Sequence, residues 1–116
     1  HPAAGIAYAL ERAGEPVLVC AADMPFVTAD ECRRLTAAFD RRSVAAVATA
    51  DSRLQPVLGV YSQDAVRPLR EAAKANAPLS AAVAALGPRL VELPAAALES
   101  VDTPDELRRA TGSPPA

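Results

Sequence analysis

Tryptophan is absent from this 116-residue chain, and two Phe, two Tyr and one Met are all that accompany a 51% hydrophobic content. A core without aromatic bulk has to be filled by Ala, Val and Leu, which suits helices packed closely on a sheet. Histidine is scarcer still: His1 is the only one, so no Ser/His/Asp triad can be assembled around it. The two cysteines, Cys20 and Cys32, have no CxxC spacing and no histidine partner. That removes a zinc set and leaves both readable as small buried apolar residues. A basic stripe is missing too, since 12 Lys and Arg are spread along a chain of formal charge −2. Nucleic acid is therefore not expected as a partner. No apolar run approaches the ~20 residues of a membrane span, and none reads as a signal peptide, so the expected location is cytoplasmic with no membrane contact. Neither GxGxxG nor GxxxxGK[ST] occurs, which removes the dinucleotide fingerprint and the P-loop.

What is present is an alternation of helical and strand-like segments. Ile6, Ala9, Leu10 and Ala13 recur at helical spacing within residues 3–13, and Gly14 supplies a stop. Residues 17–22, VLVCAA, are apolar at every position, as in a parallel strand covered by helices on both faces. Thr28-Ala29-Asp30-Glu31 is a capping box that opens a helix carrying Cys32, Leu35, Ala38 and Phe39 inward. Residues 44–49 read as another buried strand, and Asp51-Ser52-Arg53 as a polar turn compatible with an antiparallel neighbour. Gln55-Pro56 then opens a strand over 57–61, with Pro56 expected at a first or edge position because it has no amide for the ladder. Pro68 predicts a helix start or a kink within 62–75. A short helix over 79–86, a strand over 90–93, a connection over 94–100 and a second capping box at Thr103-Pro104-Asp105-Glu106 complete the pattern. The sum is an α/β open, mostly parallel, Rossmann-like sheet with helices on both faces, in which ligands collect at the carboxyl ends of strands. Residues 1–111 are expected to belong to a single domain, as the larger part of it, and residues 112–116 to form a frayed tail.

Asp23 stands at such a carboxyl end. As a helix cap it is redundant, since Thr28 holds that place. Two readings stay open: a turn residue satisfied by nearby backbone amides, or a hard oxygen ligand for Mg²⁺ on a rigid mount, with Pro25 directing the chain away from the cleft. Asp102 offers a second carboxylate, although an acidic residue before a helix is favoured by the helix dipole alone.

Four segments, "HPAAGIAYAL", "VLVCAADMPFVT", "DSRLQPVLGVY" and "LESVDTPDEL", together resemble the molybdenum cofactor guanylyltransferases, nucleotidyltransferases with a nucleotide-diphospho-sugar-transferase type of fold. The resemblance implies that Gly5 lies beside the bound nucleotide and that Asp23, in Ala22-Asp23-Met24-Pro25-Phe26, is the catalytic Mg²⁺ ligand. It places Gln55 and Pro56 on the pterin side of the cleft, with Ser100 and Asp102 as further substrate contacts. The implied reaction moves GMP from GTP to molybdopterin and releases pyrophosphate, with molybdoenzymes or other cofactor-biosynthesis proteins as partners. The resemblance covers the later two-thirds of the family's domain. A chain lacking the family's leading glycine-rich, phosphate-holding loop is expected to be inactive by itself. Alternatives are a relative using CTP on molybdopterin or GTP on a phospho-acid, and a non-catalytic α/β binding module.

Overall fold

The structure, a computed structural model, describes residues 1–99. Ser100, Asp102, the second capping box and the proposed tail lie outside the described residues.

Helix α1 (Pro2–Ala13) begins with Pro2 in its first turn, where a missing amide costs nothing. The imidazole Nδ1 of His1 accepts from the Ala3 amide (3.1 Å), so Nε2 carries the proton and donates to the Ala77 carbonyl (2.6 Å). At the other end Gly14, with φ of 67°, takes the left-handed conformation that ends the helix. Strand β1 (Val17–Cys20) follows, then α2 (Ala29–Ala38), opened by the Thr28–Glu31 box as expected: the Glu31 carboxylate accepts from the Thr28 amide at 2.9 Å. Strands β2 (Ala45–Ala50) and β3 (Arg53–Tyr61) form a hairpin. Its two turn residues, Asp51 and Ser52, both have positive φ (50° and 63°), the backbone that a tight hairpin with the native twist requires. A 3₁₀ turn (Gln63–Ala65) leads into α3 (Val66–Lys74), which places Pro68 in the first turn of the α-helix without a break. Then come α4 (Leu79–Ala84), β4 (Arg89–Glu92) and a second 3₁₀ turn (Ala95–Leu98).

The strand order is β1-β3-β2-β4. β3 is antiparallel to both its neighbours, whereas β2 and β4 are parallel, so three of the four strands run one way and β3 alone opposes them. One face is covered by α1, α3 and α4, which pack Ile6, Leu10, Leu69 and Val83 against Val47 and Tyr61. The other face is covered by α2 and the second 3₁₀ turn, through Leu35, Leu58, Leu93 and Leu98. Each fully buried Leu of this kind contributes about 2 kcal/mol relative to exposure. The Gln63 side-chain amide donates to the carbonyls of Leu10 and Glu15 (2.9 Å each), which ties the end of α1 to the start of α3. The His1–Ala77 bond ties the opposite ends. These two bonds run α1 and α3 antiparallel.

Three expectations are corrected here. β1 is not covered on both faces: Leu18 is 39% exposed and Cys20 is exposed, because β1 is an edge strand among the described residues. Cys32 is half-buried, so neither cysteine is a core residue. Pro56, in turn, sits inside the central strand β3, not at an edge, and a bulge makes that possible.

Candidate functional site

The site begins where β1 stops. The Ala21 amide still donates across to the Val57 carbonyl of β3 (3.0 Å), and then the chain turns, with Met24 N–H to Ala21 O at 3.3 Å and Val27 N–H to Met24 O at 3.4 Å. Met24 is buried among Leu35, Leu58, Leu93 and Leu98 and acts as an apolar plug for the turn. Asp23, immediately before it, is exposed. The two turn aspartates of this face differ in a telling way. Asp40 accepts from the Arg42 amide (2.9 Å) and the Ser43 hydroxyl (3.0 Å) and pairs with Arg89 (2.9 Å). These bonds, led by that from the Arg42 amide, hold the Asp40 carboxyl below its ordinary pKa. Among the described residues Asp23 has no ion-pair partner and no amide that satisfies it. Its oxygens are available.

No group of three or more His, Cys, Asp or Glu gathers among the described residues. The described residues at this end of the sheet therefore form no closed cage for a metal. A single accessible carboxylate on a rigid turn is instead the donor set that suits a hard divalent cation sharing its other positions with phosphate oxygens and water. Cys20 lies close enough to feel the same carboxylate: partial burial pushes its thiol pKa up, with Cys32 and then Asp23 adding to the shift.

Gln55 and Pro56 enter from β3. The β2–β3 pairing runs Val47↔Gly59 and then jumps to Ala48↔Gln55, so residues 56–58 form a bulge. Gln55 lines an open cavity of about 450 Å³ with Asp51, Arg53, Leu98 and Glu99. The bulge carbonyl of Val57 is the acceptor for Ala21, so the Gln55 cavity wall and the Asp23 turn are joined by one hydrogen bond at the same end of the sheet. Gly5 sits exposed in the first turn of α1, and among the described residues no atom beyond its chain neighbours and its own helix backbone comes within 4 Å of a Cβ built there. Packing does not demand a glycine at this position. The structure thus brings Asp23, Gln55 and Pro56 to one end of the sheet, with Gly5 on the helix α1, while Ser100 and Asp102 lie outside the described residues. Asp51, Arg53 and Glu99 were not anticipated as cavity residues. Nothing in their spacing marks them, since it is the hairpin and the 3₁₀ turn that bring them together.

With that geometry in place, the comparison with known families is decisive on kinship. The MobA-like NTP transferase domain family matches residues 1–101. The chain belongs to that family. Two solved structures resemble this MobA-like domain, each with a TM-score of 0.73 and 25% identity. One is molybdopterin-guanine dinucleotide biosynthesis protein A from Archaeoglobus fulgidus, aligned over 93% of this chain and 60% of its own. The other is a putative protein from Aquifex aeolicus VF5, aligned over 85% of this chain and 55% of its own. The chain thus spans little more than half the length of either. No curated protein matches it. Among the described residues no helix is long and apolar enough to cross a membrane.

Proposed function

We propose that this MobA-like domain serves a nucleotidyltransferase that moves GMP from GTP to molybdopterin, with Asp23 as the Mg²⁺ ligand. The observation that carries the reading is the Asp23 turn: an exposed carboxylate, with no ion-pair partner among the described residues, held at the carboxyl end of β1 by the buried Met24. In the reaction the terminal phosphate oxygen of molybdopterin forms a bond to the α-phosphorus of GTP as the bond to pyrophosphate breaks. That phosphate is already ionised near neutral pH, so no side chain has to act as nucleophile or strong base. Catalysis then rests on positioning and electrostatics. Mg²⁺, when bound, supplies charge neutralisation and alignment of phosphate oxygens.

Asp23 holds its place because Met24 cannot leave the core without losing its apolar burial. Gly5 leaves room for close approach of the nucleotide to the first turn of α1. Gln55, on the wall of the 450 Å³ cavity, can both donate to and accept from the heteroatoms of a pterin. Pro56 holds the bulge that presents it. Ser100 and Asp102 are assigned to the substrate side on family resemblance alone. Molybdoenzymes or other proteins of cofactor assembly are the protein partners this reaction calls for.

The test uses the full-length encoded protein with Mg²⁺, molybdopterin and either GTP or CTP, following pyrophosphate release. Turnover with GTP supports the proposal, and turnover with CTP alone rejects it. Asp23→Asn should lower metal-dependent turnover by about 100-fold or more, with the circular dichroism spectrum unchanged. An undiminished rate would return Asp23 to the role of a plain turn residue.

A further inference from the structure

Pro56 and Tyr61 are five residues apart in one strand. In regular β-structure that separation spans about 16 Å and puts the two side chains on opposite faces, so Tyr61 could not reach back to Pro56. Yet the Tyr61 hydroxyl donates to the Pro56 carbonyl. The bulge is what allows it: residues 56–58 drop out of the pairing with β2, while Leu58 stays paired with Cys20 of β1, and the strand bends at Pro56 and Val57 within reach of the phenol. The ring itself is fixed, with 0% of Tyr61 exposed, among Leu10, Val47, Leu69 and Val83. A buried phenol needs a partner for its O–H, and the bulge carbonyl supplies one.

Two successive carbonyls of the bulge are therefore anchored in different directions. That of Pro56 is held by a tyrosine set in the core. That of Val57 is held by the Ala21 amide, two residues before Asp23. Gln55, on the cavity wall, directly precedes the first anchor.

We infer that Tyr61 is a positioning residue: through the Pro56 carbonyl it fixes the Gln55 wall of the cavity relative to the Asp23 turn. It touches neither substrate. Its kinetic consequence rests on the transfer reaction proposed above, whereas its structural consequence does not.

Tyr61→Phe keeps the ring and removes only the donor. In the full-length protein, amide hydrogen exchange read residue by residue should speed up at least tenfold at Ala21, Val57 and Leu58. Exchange at Val47 and Leu69, deep in the same core, should stay within twofold of the parent. A tyrosine that merely stabilised the fold would accelerate all of these amides by one common factor, and that result, or no change at Ala21, overturns the inference. In steady-state assays the KM for molybdopterin should rise about fivefold while the KM for GTP stays put. A rise confined to GTP would also overturn it. Absence of guanylyl transfer in the parent protein would instead remove the proposed reaction, and the exchange pattern would still decide whether Tyr61 holds the bulge.

Discussion

β1 and β2 are built from the same materials and end in opposite circumstances. Val17–Cys20 and Ala45–Ala50 are both short, apolar and parallel in direction, each followed at its carboxyl end by a turn bearing an aspartate. β2 lies between β3 and β4, with Ala45 and Val47 in one core cluster and Ala48 and Ala50 in the other. β1 pairs only with β3 among the described residues and alternates half-buried with exposed positions. What separates them is rank in the sheet, not composition. The same division sorts their work: β2 carries the packing, and β1 delivers the accessible carboxylate.

The comparison breaks most visibly at Val47. It is fully buried in β2, between helices and sheet, and Val47→Asp would place a carboxylate there with no partner. Burial of an unpaired charge costs several kcal/mol, a large part of the ~5–15 kcal/mol that holds a domain together. Loss of a cooperative thermal transition, or a midpoint at least about 15 °C lower, is the expected outcome by calorimetry. A variant that melted with the parent would mean that β2 is not the packing strand.

A smaller effect is expected where the two strands are joined. Gly59 of β3 pairs with Val19 of β1 and Val47 of β2. A Cβ at Gly59 would come within 2.8 Å of the Ala46 carbonyl oxygen and 3.2 Å of Val47 Cα, both backbone atoms that cannot swing aside. Gly59→Ala should therefore cost about 1–3 kcal/mol by overpacking, read from urea unfolding. Equal stability would show that the bulge next to it absorbs the methyl group.

The parts that were legible in the residues are those decided locally. Thr28 and Glu31 are close enough in the chain to make their capping box in almost any fold, and the polar Asp51-Ser52 pair between two apolar runs could hardly be anything but a turn. Asp23 at a strand end was legible for the same reason, since the apolar run stops at it. The exposure of Leu18 and Cys20 was not, because VLVC and AAVATA look alike until the strand order is known. The bulge was hidden as well: Pro56 inside a central strand contradicts the usual confinement of proline to edges. The odd spacing from Pro56 to Tyr61 acquires meaning only once three residues leave the pairing with β2. The cavity around Gln55 depends on a hairpin tip and a distant 3₁₀ turn meeting, which no spacing records.

The mildest change makes the sharpest use of the comparison. Leu18 faces outward from β1 at 39% exposure, on a strand whose outer edge is unpaired among the described residues. Leu18→Lys sends a long side chain to water with its stem still lying on the sheet, so the unfolding free energy should change by no more than about 0.5 kcal/mol. A lysine on an apolar edge also opposes strand-to-strand association, and light scattering at high concentration should show less self-association than the parent. The same lysine charge lies on the strand that leads to Asp23, yet outside the turn that Met24 anchors, so the fold of that turn should be untouched. A loss of stability approaching that of Val47→Asp would mean that the outer side of β1 is covered in solution, and the contrast between the two strands would fail at its base.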